Sequence, residues 1–138
     1  MIMHETFDHT ADLGLRVRAE NLSALFEEAA QALFETIVED LTSVQPDRCV
    51  DVALPADNLE YLLFDWLKQL LFHFDAVHLL FGRFEVDVGP HGLTGQAWGE
   101  PLDRARHILD HEVKAITYHG LRVEKSDDGW LAEVIVDI

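Results

Sequence analysis

The stretch that most restricts how this chain can fold runs from Leu59 to Phe74. Leu59, Leu62, Leu63, Trp66, Leu67, Leu70, Leu71 and Phe74 recur at the spacings of one helical face, and Tyr61, Phe64 and Phe72 add apolar area on its flanks. A helix this apolar has too narrow a polar face to lie on a surface. It predicts a central pillar packed on more than one side. Asp57-Asn58-Leu59-Glu60 reads as an aspartate form of the capping box at its start. The aromatic stripe could line a cofactor slot, but packing is the far commoner use of such a pattern.

The segments around this pillar alternate in period. His4 to Asp8 fits a leading strand, and His9–Asp12 a turn. Leu13, Leu15, Val17 and Ala19 then alternate with Gly14, Arg16 and Arg18, as in a half-buried strand. Leu22, Leu25, Phe26, Ala29, Ala30, Leu33, Phe34 and Ile37 form one face of a first helix capped by Asn21 or Ser23, with Glu27, Glu28, Gln31 and Glu35 on the other face. Glu39-Asp40 and Pro46-Asp47 break it, and a short strand over Val50–Leu54 stops at Pro55. After the second helix come strands over Phe84–Val88 and Leu93–Gly99, joined at Gly89-Pro90-His91-Gly92. Leu102–Asp110 is a polar connection carrying a basic island of Arg104, Arg106 and His107. Glu112–His119, Leu121–Lys125 and Trp130–Val136 read as a closing meander, with Ser126-Asp127-Asp128-Gly129 as a turn. The order predicts an α+β fold with two helices packed on a mostly antiparallel β-sheet, a single-domain sandwich over residues 1–138.

Charge narrows the function. Lys and Arg total 10 against 26 Asp and Glu, a net charge of −16 over 138 residues. Such a field repels phosphate backbones, so no strong direct nucleic-acid binding is expected; a basic partner surface or bound cations suit it better. No apolar run reaches membrane-spanning length and no signal-peptide pattern opens the chain, so a cytoplasmic protein without membrane attachment is expected. The single cysteine, Cys49, has no partner for an internal disulfide and reads as a small, partly buried thiol.

The common catalytic constellations are missing: there is no phosphate-cradling Gly loop, nucleophile elbow, paired-cysteine zinc spacing or His-Glu-x-x-His helix. His107 and His111 stand at i, i+4 and would pair on zinc only if helical. Asp12, at the mouth of the second strand, is by spacing alone most simply an Asx-turn residue. Asp137-Ile138 places a side-chain carboxylate beside the terminal one, and with Asp12 these oxygens would form part of the six-to-eight-oxygen shell that calcium takes. Spacing leaves open whether the two ends meet.

His9-Thr10-Ala11-Asp12-Leu13-Gly14, Trp66-Leu67-Lys68-Gln69-Leu70-Leu71-Phe72, Gly99-Glu100, Val113-Lys114-Ala115-Ile116-Thr117-Tyr118-His119 and Val136-Asp137-Ile138 together resemble the archease family. They fall in family order and span nearly the whole chain. Lys68-Gln69 departs from the Asn-Glu or similar pair usual there. The resemblance implies a non-enzymatic, cytoplasmic activator of an RtcB-type RNA ligase in tRNA splicing or RNA repair. Such a protein promotes guanylylation of the ligase's histidine and its multiple turnover. The resemblance also implies a metal site at Asp12, Asp137 and the terminal Ile138, with calcium as the ion and magnesium or another divalent ion as the alternative. Lys114 is a further candidate contact. Two other classes fit the residues: a metal-dependent hydrolase using Asp12 with His9 or His119 as base, and a general chaperone or scaffold protein.

Overall fold

The computed structural model describes residues 2–9 and 12–138, with only the backbone of Asp8 and His9. Strands β1 (Met3–His9) and β2 (Asp12–Ala19) lead into helix α1 (Leu22–Ile37). Strand β3 (Arg48–Pro55) precedes helix α2 (Leu59–Val77). Then follow β4 (Leu79–Gly89), β5 (Gly92–Pro101), β6 (Ala115–Ile116), β7 (Arg122–Ser126) and β8 (Gly129–Asp137). The expected α+β class is the one observed, with every strand pairing antiparallel.

The strands form two sheets rather than one. The first, five-stranded, runs β1-β2-β8, with β6 and β7 both pairing along the remaining edge of β8; the second is β3-β5-β4. The split follows from β3, which lies between the helices in sequence and pairs with β5 instead of joining β2. Both helices pack on strands of both sheets, so one continuous core joins them.

α2 is the pillar its pattern predicts. Leu62, Leu63, Phe64, Trp66, Leu67, Leu70 and Leu71 are buried, while Tyr61 and Phe72 stay exposed. Trp66 is completely buried, and its indole N–H donates to the Phe26 carbonyl of α1 at 3.0 Å, which satisfies its one donor and locks the two helices together. Its ring lies so close to Gly95 that a Cβ there would meet it at 2.8 Å. The cap of α2 is Asn58, accepting from the Tyr61 N–H at 2.9 Å, and not Asp57, whose carboxylate accepts from Asn58 N–H instead. The helix stops at His78, in the left-handed region at φ 57°.

At α1 the cap is Asn21, which accepts from Ala24 N–H at 2.8 Å. Ser23, the other candidate, takes the Val88 N–H instead, and Glu27 takes the Val86 N–H at 2.8 Å. Both therefore occupy donors of the edge strand β4, which would otherwise be a template for another chain. Glu27 thus works inside the fold and not on a solvated face.

Two further expectations change. The stretch Glu112–His119 contributes only the two-residue β6; the rest follows an irregular path along β8, with Lys114 N–H donating to Asp137 O at 2.7 Å and Thr117 N–H to Ile135 O. Cys49 is exposed and not partly buried, because β3 presents 49, 51 and 53 outward and Val50 and Val52 inward. Burial at its strand, together with Asp51 and Glu85, pushes its thiol pKa up, away from a reactive thiolate.

Candidate metal centre

The outer face of the first sheet is organised in rows of directly opposed residues. One row, Glu5–Arg16–Glu133–Arg122, alternates in charge across β1, β2, β8 and β7. Arg16 donates to Glu133 at 2.5 Å and to Glu5 at 3.0 Å, and Arg122 donates to the other oxygen of Glu133 at 2.8 Å. Burial works to raise the carboxyl pKa of Glu133, but the two guanidinium groups overcome it and hold the group below its ordinary value. This is how a sheet face stabilises itself with charge.

Two rungs towards the chain ends, the same face sets two carboxylates opposite each other. Asp12 pairs directly with Asp137 across β2 and β8, and Ala115 of β6 completes the row. Alternation puts both carboxylates on the side of Arg16 and Glu133, away from the core, since Leu13, Leu15, Val134 and Val136 point inward and are buried. Directly opposed residues on one face have Cβ atoms about 4.5–5.5 Å apart, and like charges so placed are destabilising. Asp12 and Asp137 are each half-buried. Ile138 follows at once, partly buried against the core, which anchors the chain end one residue beyond Asp137.

The fold therefore brings Asp12 and Asp137 together, which spacing had left open, and adds Lys114 through its backbone bond to Asp137. The expected bend at 10–11 and the His9 side chain lie outside the described residues, although His9 and Asp12 close the β1–β2 pairing. His119 is exposed and donates its N–H to Thr117 at 3.3 Å. Among the described residues no group of three or more His, Cys, Asp or Glu side chains is placed to hold a metal. Two hard, opposed carboxylates fit a hard cation only if the remaining oxygens come from the terminal carboxylate, backbone and water. That is an oxygen set suited to calcium or magnesium and unsuited to a zinc site built from imidazole or thiolate.

A zinc pair at His107 and His111, which required a helix, does not form. Their segment is not helical: Asp110 N–H and His111 N–H donate to the last carbonyls of α1, drawing it out along the helix end. His107 is buried at 2% exposure and committed elsewhere. Asp103 N–H donates to its Nδ1 at 2.9 Å, which leaves Nε2 to donate to Glu100 Oε2, also at 2.9 Å. Glu100 is further held by Arg106 and by Gln45 N–H at 2.8 Å. Burial pushes its carboxyl pKa up, but Arg106, the Gln45 amide and His107 outweigh burial and bring it down to about 2. The result is a latch centred on buried Glu100 and His107, with Arg106 reaching it from the exposed side. The sequence pattern shows the basic island and the Gly99-Glu100 pair but not that they meet, and Gln45 joins from a separate segment.

No helix among the described residues is long and apolar enough to cross a membrane. The model of the archease protein family (MTH1598/TM1083) matches residues 4–138. The chain is 38% identical over 136 residues to the protein archease of Sulfurisphaera tokodaii, covering 97% of each. It is 41% identical over 138 residues to that of Methanopyrus kandleri, covering 97% of this chain and 98% of the other. In structure it is similar to protein 1598 of Methanobacterium thermoautotrophicum, solved in solution, with a TM-score of 0.85, 36% identity and 98% of each chain covered. The Thermotoga maritima protein described as an archease and possible chaperone shares the fold at a TM-score of 0.66 and 21% identity, over 99% of this chain and 98% of that one. Coverage this complete, on a fold whose two ends meet at Asp12 and Asp137, places the chain in the archease family.

Proposed function

We propose that this chain is a non-enzymatic activator of an RtcB-type RNA ligase in tRNA splicing or RNA repair, and that Asp12, Asp137 and the terminal Ile138 hold a divalent cation, calcium in the first instance. One observation carries the reading: two carboxylates from opposite ends of the chain, Asp12 and Asp137, are register partners on the outer face of the first sheet. A cation between them would be held by carboxylates from both ends of the chain and would place a positive centre on an acidic protein. When bound, the ion would supply Lewis acidity at a shared surface. The chain's own part is to fix the two carboxylates by strand register and to anchor the terminus through Ile138. A net charge of −16 suits docking on a basic protein better than holding RNA.

The test mixes the purified chain with an RtcB-type ligase, GTP and a divalent ion, and follows guanylylation of the ligase. The expected result is faster guanylylation with the chain present and no turnover of RNA or nucleotide by the chain alone. Hydrolysis by the isolated chain with a divalent ion would instead favour a metal-dependent hydrolase. Equal protection of unrelated unfolding proteins by wild type and an Asp12→Asn variant would favour a general chaperone.

A further inference from the structure

A second feature lies beside this centre, on the exposed side of α2. Ala115 pairs with Asp137, and Tyr118 follows three residues later, no more than about 10 Å of chain away. The Tyr118 ring stacks on Phe64 of α2 at 3.9 Å between centroids and 15° between planes, and Tyr61 meets it edge-on at 5.7 Å. Tyr118 is nevertheless 57% exposed and Tyr61 48% exposed. Together with Asp57, Glu60 and Asp65 they line an open groove of about 740 Å³.

Both the shape and the charge of this groove are unusual for a bare surface. Large aromatic rings held by stacking yet left in water present π-faces at low entropic cost, a common feature of recognition surfaces. The carboxylates around them meet no cation: among the described residues no Arg, Lys or His pairs with Asp57, Glu60 or Asp65. Elsewhere the fold neutralises comparable positions, as Arg16 and Arg122 do for Glu133. The aromatic platform already accepts a cation at its margin, where the Lys68 ammonium lies 5.9 Å from the Phe64 ring.

We infer that this groove receives an arginine-bearing segment of a partner protein, the guanidinium lying against the Tyr118–Tyr61 rings and pairing with Asp65 and its acidic neighbours. A planar, delocalised cation fits an aromatic wall with adjacent carboxylates, whereas an apolar helix would bury those carboxylates without a cation, although Glu60 and Asp57 already accept from the Val123 and Asn58 N–H groups. That the partner is the ligase rests on the function proposed above; the occupant's chemistry does not. Docking there would hold the Asp12–Asp137 end against the same partner.

Two measurements test it separately. In the first, the isotope-labelled full chain is titrated at low salt with an acetylated Gly-Arg-Gly-Arg-Gly amide, and amide shifts are followed by NMR. Saturable shifts at Tyr61, Asp65 and Tyr118 are expected. The citrulline analogue, which keeps the shape without the charge, should bind at least tenfold more weakly. Tyr118→Ala, an exposed change, and Asp65→Asn, a near-isosteric one, should each weaken the peptide at least fivefold. No saturable shift at these residues, an equal response to the citrulline peptide, or self-association of the chain through this face would overturn the inference. In the second, ligase binding is compared for wild type, Tyr118→Ala, and Gln96→Ala on the exposed face of the other sheet. Tyr118→Ala should weaken it at least tenfold and Gln96→Ala not at all. Unchanged binding in Tyr118→Ala would overturn the groove as the docking site. A wild-type chain that does not bind the ligase would refute the ligase as partner, with the peptide titration still deciding the groove.

Discussion

At the scale of single residues, the Asp12–Asp137 rung sets two carboxylates opposite each other across a strand pair, while the Glu100 latch sets one among buried donors. Glu100 is buried but meets Arg106, His107 and the Gln45 amide, so its charge is compensated inside the protein. Because its folded pKa is lowered to about 2, its contribution to stability is fully present above the unfolded value of 4.5 and is lost as pH falls towards 2. Glu100→Gln should therefore cost about 1–3 kcal/mol near neutral pH, by leaving buried donors poorly satisfied. In acid denaturation followed by circular dichroism, the variant should lose less stability than wild type between pH 4.5 and 2. Asp137 makes the contrary prediction. With chelator present, Asp137→Asn should leave the melting temperature unchanged or slightly raised, since a like-charge pair worth some tenths of a kcal/mol has been relieved. The rise in melting temperature that calcium gives wild type should disappear in the variant. A variant that melts lower in chelator and still gains from calcium would show that Asp137 is structural and not a ligand.

Among the elements, α2 and the β4–β5 hairpin carry the architecture. Trp66→Ala would remove the largest fully buried side chain together with its bond to Phe26, and should cost about 3–5 kcal/mol in chemical denaturation. Gly99 is fixed by a close approach of backbone: a Cβ there would lie 1.7 Å from the Leu80 carbonyl oxygen, next to the irregular register between Phe81 and Arg83. Gly99→Ala should thus prevent proper β4–β5 pairing and yield little folded protein on expression, while the exposed Gln96→Ala should express like wild type. Periodicity revealed β2, both helices and the hairpins, because their apolar positions are set by local geometry. It overestimated β6, since Val113 and Ile116 are buried by packing on an irregular path and not by strand alternation. It also placed Glu27 in solvent, because a side chain that caps a distant strand edge looks the same in sequence as a solvated one.

For the whole molecule, the decisive fact is that the first and last strands of the path β2-β8 are neighbours, so residues 12 and 137 face each other. No local pattern contains that information; the resemblance of the terminal motifs to archeases pointed to it, and strand register supplies the geometry. The groove at Tyr118 and the Gln45 contact of the Glu100 latch were hidden for the same reason, since each draws on segments far apart in sequence. The surplus of carboxylates also belongs at this scale: association with a basic ligase should slow as ionic strength rises, with the association rate changing more than dissociation. The decisive measurement is the number of RNA ligations per ligase molecule with wild-type chain, Asp12→Asn and Asp137→Asn under excess RNA and GTP. Wild type should carry the ligase through many turnovers, and both folded variants should leave it near the level of ligase alone. Full stimulation by both variants would contradict a function centred on the paired carboxylates.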